Sequence, residues 1–188
     1  MNEETYQNIS GILGNISKLL SDVSREEVNL LGENILSANR VFLAGAGRSG
    51  LILETFAMRL MHLGLDVHTA GHSTTPAAGR GDLVLIASGS GETSTVSAIA
   101  RQANDQEVKI CLITSSSNST IAALADETIC IPVSSTHSDR EDSKKVLQPL
   151  GSPFEHSLFI LLESLVTHLM QKTSVSEKEM ARRHANLE

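Results

Sequence analysis

The stretch VFLAGAGRSG, residues 41–50, carries the pattern that identifies the fold class of this chain. It begins with four apolar residues in a row and ends in a turn of glycines, after which helix-compatible spacing continues to Leu63. A strand that is apolar at every position, rather than at alternate ones, is buried on both faces, as the strands of a parallel sheet are. An apolar strand, a glycine turn and a helix in this order predict an α/β fold.

The same pattern recurs along the rest of the chain. Apolar runs predict further strands at 65–70, 83–87, 108–113 and 128–133, and apolar spacing of three and four residues predicts helices at 49–63, 92–104, about 119–125 and 152–172. The first of these helices should end at Gly64 as its C-cap. Upstream, residues 3–20 and 24–38 predict a helical hairpin, with Ser24 and Glu27 as a capping box.

The length and the spacing of these elements predict a single domain. No repeat, low-complexity tract or linker divides the 188 residues. We assign a helical hairpin to 1–38, an α/β core to 39–172 and a C-terminal helix or tail to 173–188. The polar stretch 134–148 has no periodicity and is the one long loop, and long loops in compact domains tend to be functional.

Composition excludes several classes of protein. With 40% hydrophobic and 20% charged residues, the chain can build a core and is not disordered. A formal net charge of −7 without a Lys/Arg-rich stripe argues against a nucleic acid or an anionic membrane as partner. The start, Met1 to Glu4, does not resemble a signal peptide and no apolar run could span a bilayer, so we expect a cytoplasmic protein. Cys111 and Cys130 lie in apolar runs and are predicted to be packed thiols.

Three predicted strands end in loops rich in glycine and hydroxyl side chains: GAGRSG at 45–50, SGSGET at 88–93 and TSSSNS at 114–119. The carboxyl ends of parallel strands lie at the same edge of the sheet, where open α/β folds bind ligands. Glycine lets backbone N–H groups approach an anion, and a helix N-terminus favours negative charge. These residues are also the ordinary choice in turns and N-caps. Three such loops at one edge favour an anion site over that alternative.

The first loop matches G-x-G-x-x-G, a pattern of dinucleotide-binding sites. Such a site also requires an acidic residue at the end of the second strand to bind a ribose hydroxyl. Here the second strand runs into Gly71 and His72, and Asp66 lies at its start, at the opposite edge of the sheet. A nicotinamide oxidoreductase is therefore disfavoured. The lack of a G-x-x-x-x-G-K-[ST] pattern likewise disfavours a nucleotide triphosphatase.

Five segments together resemble one known family: AGAGRSG at 44–50, FAMRLMHLG at 56–64, SGSGET at 88–93, QPLGSPFE at 148–155 and the closing HANLE at 184–188. They are similar to the sugar isomerase (SIS) domain of 6-phospho-3-hexuloisomerases. The resemblance implies a flavodoxin-like three-layer α/β/α sandwich with a five-stranded parallel sheet, and a homotetramer whose sites are completed across subunits. It also implies no metal and no cofactor. The implied reaction interconverts D-arabino-hex-3-ulose 6-phosphate and fructose 6-phosphate, in the ribulose monophosphate pathway of formaldehyde fixation.

The same resemblance assigns roles to individual residues. It implies Glu155 as the catalytic base and His62 as a catalytic group from a neighbouring subunit, with His184 reaching a neighbouring site. The residues implied to bind the sugar phosphate lie in the first two loops: Gly47, Arg48, Ser49, Ser88, Ser90, Gly91, Glu92 and Thr93. Moving a carbonyl from C3 to C2 passes through a 2,3-enediolate. A buried carboxylate of raised pKa can transfer the protons without a cofactor, and an imidazole can assist.

Each candidate also has an ordinary structural interpretation. The segment SPFE at 152–155 has the pattern of a capping box with an early proline, so Glu155 can equally be a helix cap. His62 lies in the last turn of its predicted helix, where histidine is favourable against the helix dipole. Glu92 can be a first-turn acid, and Arg48 can form a surface salt bridge.

Two positions depart from the family's pattern. His72 stands where an acidic residue is expected, and Pro153 stands where a larger apolar residue is common. Both changes leave the phosphate loops intact but concern the sugar pocket, so an isomerase for another sugar phosphate stays open. A non-catalytic sugar-phosphate sensor also stays open, although sensors of this kind usually accompany a DNA-binding module, and no helix-turn-helix pattern or basic patch occurs in these residues.

Overall fold

A computed structural model describes residues 2–133, 148–149 and 151–187. The helices in these ranges are α1 (Glu3–Ser21), α2 (Arg25–Ser37), α3 (Gly47–Leu63), α4 (Ser94–Asp105), α5 (Ser152–Thr173) and α6 (Glu177–Arg182). The strands are β1 (Val41–Gly45), β2 (Val67–Thr69), β3 (Leu83–Ala87), β4 (Lys109–Thr114) and β5 (Glu127–Cys130). The long loop predicted at 134–148 lies, except for Gln148, outside the described residues.

The strands form one parallel sheet in the order β2-β1-β3-β4-β5, which confirms the predicted five-stranded parallel sheet. Val41 of β1 stands opposite Val67 of β2 and Leu83 of β3. In this flavodoxin-like order the chain leaves β1 toward one edge of the sheet and then returns past it to build the other. The carboxyl ends of β1 and β3 therefore flank the point of reversal, where such folds bind ligands.

Helices cover both faces of the sheet, which is why its strands are apolar at successive positions. On one face, Leu43 and Leu85 belong to a core that includes residues of α2, α5 and α3, such as Phe56. On the other face, Phe42 and Val84 pack with residues of α4. Full burial of one such side chain stabilises the fold by about 1.5–3 kcal/mol. The predicted three-layer α/β/α sandwich is confirmed.

The first two helices and the end of α3 form where the sequence predicts them. The bounds of α1 and α2 differ by at most one residue from 3–20 and 24–38. Ser24 Oγ accepts the N–H of Glu27 at 3.3 Å, as expected of an N-cap. Gly64 ends α3 as a left-handed C-cap with a φ of 90°.

The helix predicted at about 119–125 is wrong, because these residues form consecutive turns. The segment is held at both ends by neighbouring strands and loops. The Ile121 N–H donates to the Gly91 carbonyl oxygen at 3.1 Å, and the Asp126 N–H donates to the Ile110 carbonyl oxygen at 2.9 Å, next to the start of β5. The Ala123 N–H donates to the Ser119 carbonyl oxygen at 3.0 Å, and the Ala125 N–H donates to that of Ile121 at 3.1 Å. The segment therefore makes separate helical turns rather than a regular helix.

The two cysteines are free thiols, as predicted. Cys111 is buried, and burial raises the pKa of its thiol to about 12, so the group is neutral near pH 7. Among the described residues, no helix combines the length and the apolar content that crossing a membrane requires. The same part of the chain holds no group of three or more His, Cys, Asp or Glu side chains arranged for a metal ion.

Candidate active site

The carboxyl edge of the sheet brings the first two loops together with the start of α5. Arg48, in the first loop, contacts Glu155 in the first turn of α5. Gly89, in the second loop, lies so close to Phe154 that a Cβ added to it would be 3.3 Å from the ring. Segments far apart in the sequence therefore meet beside the carboxyl ends of β1 and β3, where the strand order predicts a ligand site.

Glu155 is largely buried and is paired with the guanidinium group of Arg48. The Arg48 Nε–H donates to Glu155 Oε2, and the exposed fractions of the side chains are 60% for Arg48 and 15% for Glu155. α5 has Gly151 as its N-cap and no side-chain cap hydrogen bond, so the capping box suggested for Ser152 and Glu155 does not form. The carboxylate is instead a partly buried anion whose partner is mostly exposed.

Further polar residues, none of which was assigned a role from the sequence, surround this ion pair. His156 Nε2 lies 3.4 Å from Arg48 Nη2, and His156 Nδ1 lies 2.8 Å from the side-chain amide of Gln148. Gln148 also accepts a hydrogen bond from Asn15 of α1 at 3.2 Å. The sequence contains one signal for these residues: Gln148 is the first residue of the QPLGSPFE motif, and His156 directly follows the motif. Adjacent residues of a helix face different directions. The motif therefore could not show that both Glu155 and His156 contact Arg48.

The first loop turns tightly into α3. Gly47 has a φ of 56°, and nothing lies within 4 Å of an added Cβ, so the backbone conformation rather than crowding requires glycine there. At Gly45 the reason is crowding, since an added Cβ would be 2.9 Å from the backbone nitrogen of Gly50. α3 has Ala46 as N-cap without a side-chain cap, so its first-turn N–H groups, including that of Ser49, are left for a ligand or water.

The second loop curls its hydroxyl groups around the start of α4. Ser88 Oγ accepts the Gly91 N–H at 3.1 Å and lies 3.3 Å from Thr93 Oγ1. Ser90 Oγ accepts the Glu92 N–H at 3.2 Å. Thr93 is the N-cap of α4, but its side chain makes no cap hydrogen bond. The helix N-terminus thus stays available to an anion beside the clustered hydroxyl groups.

The third loop is hydrogen-bonded to the second loop through its first residues, Thr114 and Ser115. Ser115 donates its N–H at 3.0 Å and its hydroxyl at 2.6 Å to the Gly89 carbonyl oxygen. Thr114 Oγ1 donates to the same oxygen at 3.2 Å. The Glu92 carboxylate accepts the N–H and the hydroxyl of Thr120, each at 2.7 Å. Of the three loops predicted to hold an anion, the first two contact the start of α5, and the third is hydrogen-bonded to the second.

His62 and His184 lie together at the other end of α3. His62 is 3% exposed, and its Nε2 lies 3.3 Å from His184 Nδ1. Arg183 Nη1 donates to the His62 carbonyl oxygen at 2.7 Å. Burial chiefly, and then the nearby His184 and Arg59, lower the pKa of His62, so its imidazole is neutral near pH 7. A cavity of about 470 Å³ opens beside the histidine pair.

Within one chain, the fold separates this histidine pair from Glu155. α3 has 17 residues, so its two ends are roughly 25 Å apart. Arg48 lies at one end of the helix and His62 at the other. The structure therefore brings together the first loop, the second loop and Glu155, and it leaves His62 and His184 as a separate pair.

The sequence of this chain matches those of known proteins over almost its whole length. Residues 34–146 match the family model described as SIS domain. A protein of Mycobacterium gastri named 3-hexulose-6-phosphate isomerase is 41% identical, over 99% of this chain and 92% of its own length. A Bacillus subtilis (strain 168) protein of the same name is 38% identical, over 98% of this chain and 100% of its own length.

A solved structure of a Methanococcus jannaschii protein has the same fold. It is 32% identical to this chain, the match covers 100% of both chains, and the TM-score is 0.79. That structure was taken to infer a molecular function of 3-hexulose-6-phosphate isomerase. The relatives and the family model agree with one another on the class of protein to which this chain is similar.

Proposed function

We propose a specific reaction from the premise that this chain belongs to the SIS domain family and is a sugar-phosphate isomerase. The reaction is the interconversion of D-arabino-hex-3-ulose 6-phosphate and fructose 6-phosphate, as a cytoplasmic step of the ribulose monophosphate pathway of formaldehyde fixation. The names of the relatives support this substrate. The observation that carries it in this chain is the partly buried carboxylate of Glu155, held by Arg48 beside the phosphate loops.

The phosphate group is proposed to bind over the second loop. Ser88, Ser90 and Thr93 carry hydroxyl groups around the bend at Gly91, and α4 begins there without a side-chain cap. Hydroxyl groups, backbone N–H groups and a helix N-terminus stabilise an anion without adding positive charge. A protein with a net charge of −7 can therefore hold a single phosphate. The N–H groups at the start of α3, including that of Ser49, complete the proposed site.

Glu155 is the proposed base. In the forward direction it removes the proton from C2 of the 3-hexulose phosphate, and the electrons form the C2–C3 double bond of an enediolate. The same carboxyl group returns the proton to C3, while the C2 hydroxyl proton moves to the oxygen on C3. The C2 oxygen thereby becomes the carbonyl of fructose 6-phosphate. One carboxylate that reaches both carbons can perform both carbon proton transfers, so only the proton transfer between the oxygens needs a second group.

Arg48 is proposed to control when Glu155 can act. While the guanidinium group holds Glu155 Oε2, that oxygen is not available to take a proton. The phosphate and the enediolate oxygens of the substrate are competing anions for the same guanidinium group, and the Arg48 side chain is mostly exposed. Substrate binding would draw Arg48 toward the sugar, expose the base and stabilise the developing negative charge.

We further propose that His62 serves the site of a neighbouring subunit in a homotetramer. In its own chain it lies about the length of α3 from Arg48 and Glu155. Large apolar side chains are exposed on α1, α3 and α5, as is typical of subunit interfaces: Tyr6, Ile9, Leu13, Leu51, Met58, Met61, Phe159 and Ile160. A neutral imidazole brought across such an interface can move the proton between the hydroxyl and carbonyl oxygens, with His184 beside it.

A coupled assay for fructose 6-phosphate formed from the 3-hexulose 6-phosphate tests the reaction. Glu155→Gln should lower kcat by roughly 10²–10⁴-fold, the usual contribution of a general base. Glu33→Gln, at an exposed position of α2, is the matched control and should leave kcat and KM unchanged. No turnover by the wild-type protein would refute the reaction, and unchanged turnover by Glu155→Gln would refute the base. Binding of fructose 6-phosphate without turnover would favour the sensor.

Mixed oligomers test the shared site. His62→Gln and Glu155→Gln subunits should each be nearly inactive alone. If His62 acts across an interface, some sites in a reassociated mixture contain both intact residues, so part of the activity should return. A mixture that stays as inactive as its components, although it forms mixed oligomers by mass spectrometry, would refute the shared site.

A further inference from the structure

Glu92 is a carboxylate inside the proposed phosphate loop, where a negative charge requires a physical reason. A free carboxylate at this position would repel a bound phosphate. Glu92 Oε1 accepts the Thr120 N–H and Oε2 accepts the Thr120 hydroxyl, each at 2.7 Å. The bond from the Thr120 hydroxyl and then that from its N–H lower the pKa of Glu92, so the group is charged and directed at the third loop.

Glu92 belongs to a series of hydrogen bonds that joins the second loop to the third loop and to the two residues that follow it, Thr120 and Ile121. The Gly89 carbonyl oxygen accepts the N–H and the hydroxyl of Ser115. The Gly91 carbonyl oxygen accepts the Ile121 N–H at 3.1 Å. Together with the bonds that the Glu92 carboxylate accepts, these bonds occur at three positions of the bend 88–93, which carries the proposed phosphate ligands. The shape of the bend is therefore set by the third loop as much as by its own residues.

The bend is tightly packed at Gly91. Its φ is 66°, and a Cβ added there would lie 2.0 Å from Ser119 Oγ, so the third loop is in direct contact with the second. Two loops packed this closely change shape only together. Thr120, the residue after Ser119, is the one that Glu92 binds with both carboxylate oxygens.

We propose that Glu92 is a positioning residue that acts on the phosphate loop through Thr120, an inference that rests on the proposed phosphate site at Ser88, Ser90 and Thr93. The Glu92 N–H donates to Ser90 Oγ while its carboxylate binds Thr120, so both its backbone and its side chain are fixed. Glu92 keeps the hydroxyl groups of Ser90 and Thr93 at the spacing that the phosphate needs. It does so without touching the phosphate.

This role and simple charge repulsion predict opposite changes in phosphate affinity when the Glu92 carboxylate is removed. If Glu92 acted only through its field, its removal would strengthen phosphate binding, and added salt would reduce the difference. If Glu92 positions the loop, its removal weakens phosphate binding. A Glu92 that contacted the reacting sugar carbons would instead change kcat and leave the affinity for inorganic phosphate unaltered.

The test compares Glu92→Ala, Glu92→Gln, Thr120→Val and the double variant Glu92→Ala/Thr120→Val in the full chain. The measurements are the Kd of inorganic phosphate and the KM and kcat for fructose 6-phosphate. Glu92→Ala should raise Kd and KM roughly tenfold, with kcat changed by no more than about twofold. Glu92→Gln should recover most of the loss, because an amide can accept from one Thr120 group and donate to its hydroxyl. The double variant should be no worse than Glu92→Ala, since Glu92→Ala alone removes both bonds to Thr120, including the hydroxyl bond that Thr120→Val removes.

Asp105→Asn, at an exposed position at the end of α4, is the matched control and should change none of these values. Equal or tighter phosphate binding by Glu92→Ala, or additive losses in the double variant, would overturn the positioning role. If the wild-type protein neither bound phosphate nor acted on fructose 6-phosphate, the proposed function itself would fail, which is distinct from a loss confined to the variants. If circular dichroism shows that Glu92→Ala does not fold, the other variants decide. Weaker phosphate binding by Thr120→Val than by Glu92→Gln then supports the positioning role, and equal binding by all folded proteins refutes it.

Discussion

The helices that begin away from the candidate site have side-chain caps, whereas the helices that begin at the site have none. Asn2 caps α1 by accepting the Thr5 N–H at 2.9 Å, and Ser24 and Ser176 cap α2 and α6 in the same way. The N-cap residues of α3, α4 and α5 make no side-chain cap hydrogen bond: Ala46, Thr93 and Gly151. The three helices that begin at the candidate site therefore keep first-turn N–H groups that no capping side chain bonds, as the proposed binding of a phosphate there requires.

Thr93 shows that this difference is not only one of residue type. Threonine is a good N-cap, and a side-chain cap stabilises a helix by about 1 kcal/mol. The Thr93 hydroxyl nevertheless lies 3.3 Å from Ser88 Oγ and makes no bond to the first turn of α4. The N-terminus of α4 thus lacks the stability that a side-chain cap would supply, and its first-turn donors are not bonded by the Thr93 hydroxyl.

A cap added at the site should have the largest effect. In Thr93→Asp the new carboxylate can bond the first-turn N–H groups of α4, where it would occupy the proposed phosphate position with a like charge. We expect KM for fructose 6-phosphate to rise more than about 100-fold while the free energy of unfolding rises by about 1 kcal/mol. Steady-state kinetics and urea denaturation measure the two changes. A variant that lost stability as well as affinity would contradict the idea that α4 lacks a cap for the ligand's sake.

Phosphate itself should act as the missing cap. A ligand at 100 times its Kd raises the free energy of unfolding by about 2.7 kcal/mol if it binds only the folded state. Inorganic phosphate should therefore raise the Tm of the wild-type protein, and it should raise that of Thr93→Asp much less. Sodium chloride at equal ionic strength is the control. Equal shifts in the two proteins would mean that phosphate binds elsewhere.

A matched pair of alanine substitutions should separate the two kinds of helix end. Ser24→Ala removes a cap hydrogen bond and should cost about 1 kcal/mol of stability without changing KM. Thr93→Ala removes a hydroxyl that makes no cap bond, so it should cost less stability but raise KM roughly tenfold. Urea denaturation measures the free energy of unfolding of both variants, and steady-state kinetics measures their KM. The comparison fails if Thr93→Ala loses as much stability as Ser24→Ala and keeps its KM.

At the opposite end of α3, His62 should make the free energy of unfolding depend on pH rather than on phosphate. This effect should be smaller than those at the candidate site. Burial chiefly lowers the pKa of His62 below its ordinary value of 6.5, so the unfolded chain binds a proton more readily than the folded protein does. The free energy of unfolding should therefore fall as pH is lowered through about 6.5 and level off below the folded pKa. His62→Gln should make this dependence shallower. An unchanged slope in His62→Gln would assign the effect to another group.

Most of the fold could be predicted because burial leaves a local pattern in the sequence. β1 and β3 are apolar at consecutive positions because helices cover both faces of the sheet, and Gly64 ends α3 because it adopts a left-handed conformation there. The same kind of pattern misled at 119–125. The apolar spacing around Ile121 is helical, but its N–H is bonded to Gly91 of another loop, and no local pattern reports that contact.

The candidate site could be predicted by residue type but not by partner. The glycines and hydroxyl residues of the first two loops predict an anion site, since such residues suit phosphate wherever a helix follows a strand. The capping pattern around Glu155 suggested a helix cap, yet its carboxylate pairs with Arg48. Glu92, in the phosphate motif, binds Thr120 of the next loop, and His156 contacts Arg48 without belonging to any motif.

The order of residues was sufficient to predict the five strands and most of the helices, and to indicate which loops are rich in glycine and hydroxyl groups, because periodicity and glycine placement are properties of short stretches. Folding alone specified which of those groups meet. Arg48 and Glu155 are 107 positions apart, and His62 and His184 are 122 apart, yet each pair is in contact. Ion pairs and hydrogen bonds depend on distances of a few ångströms in space, and a linear pattern contains no such distances.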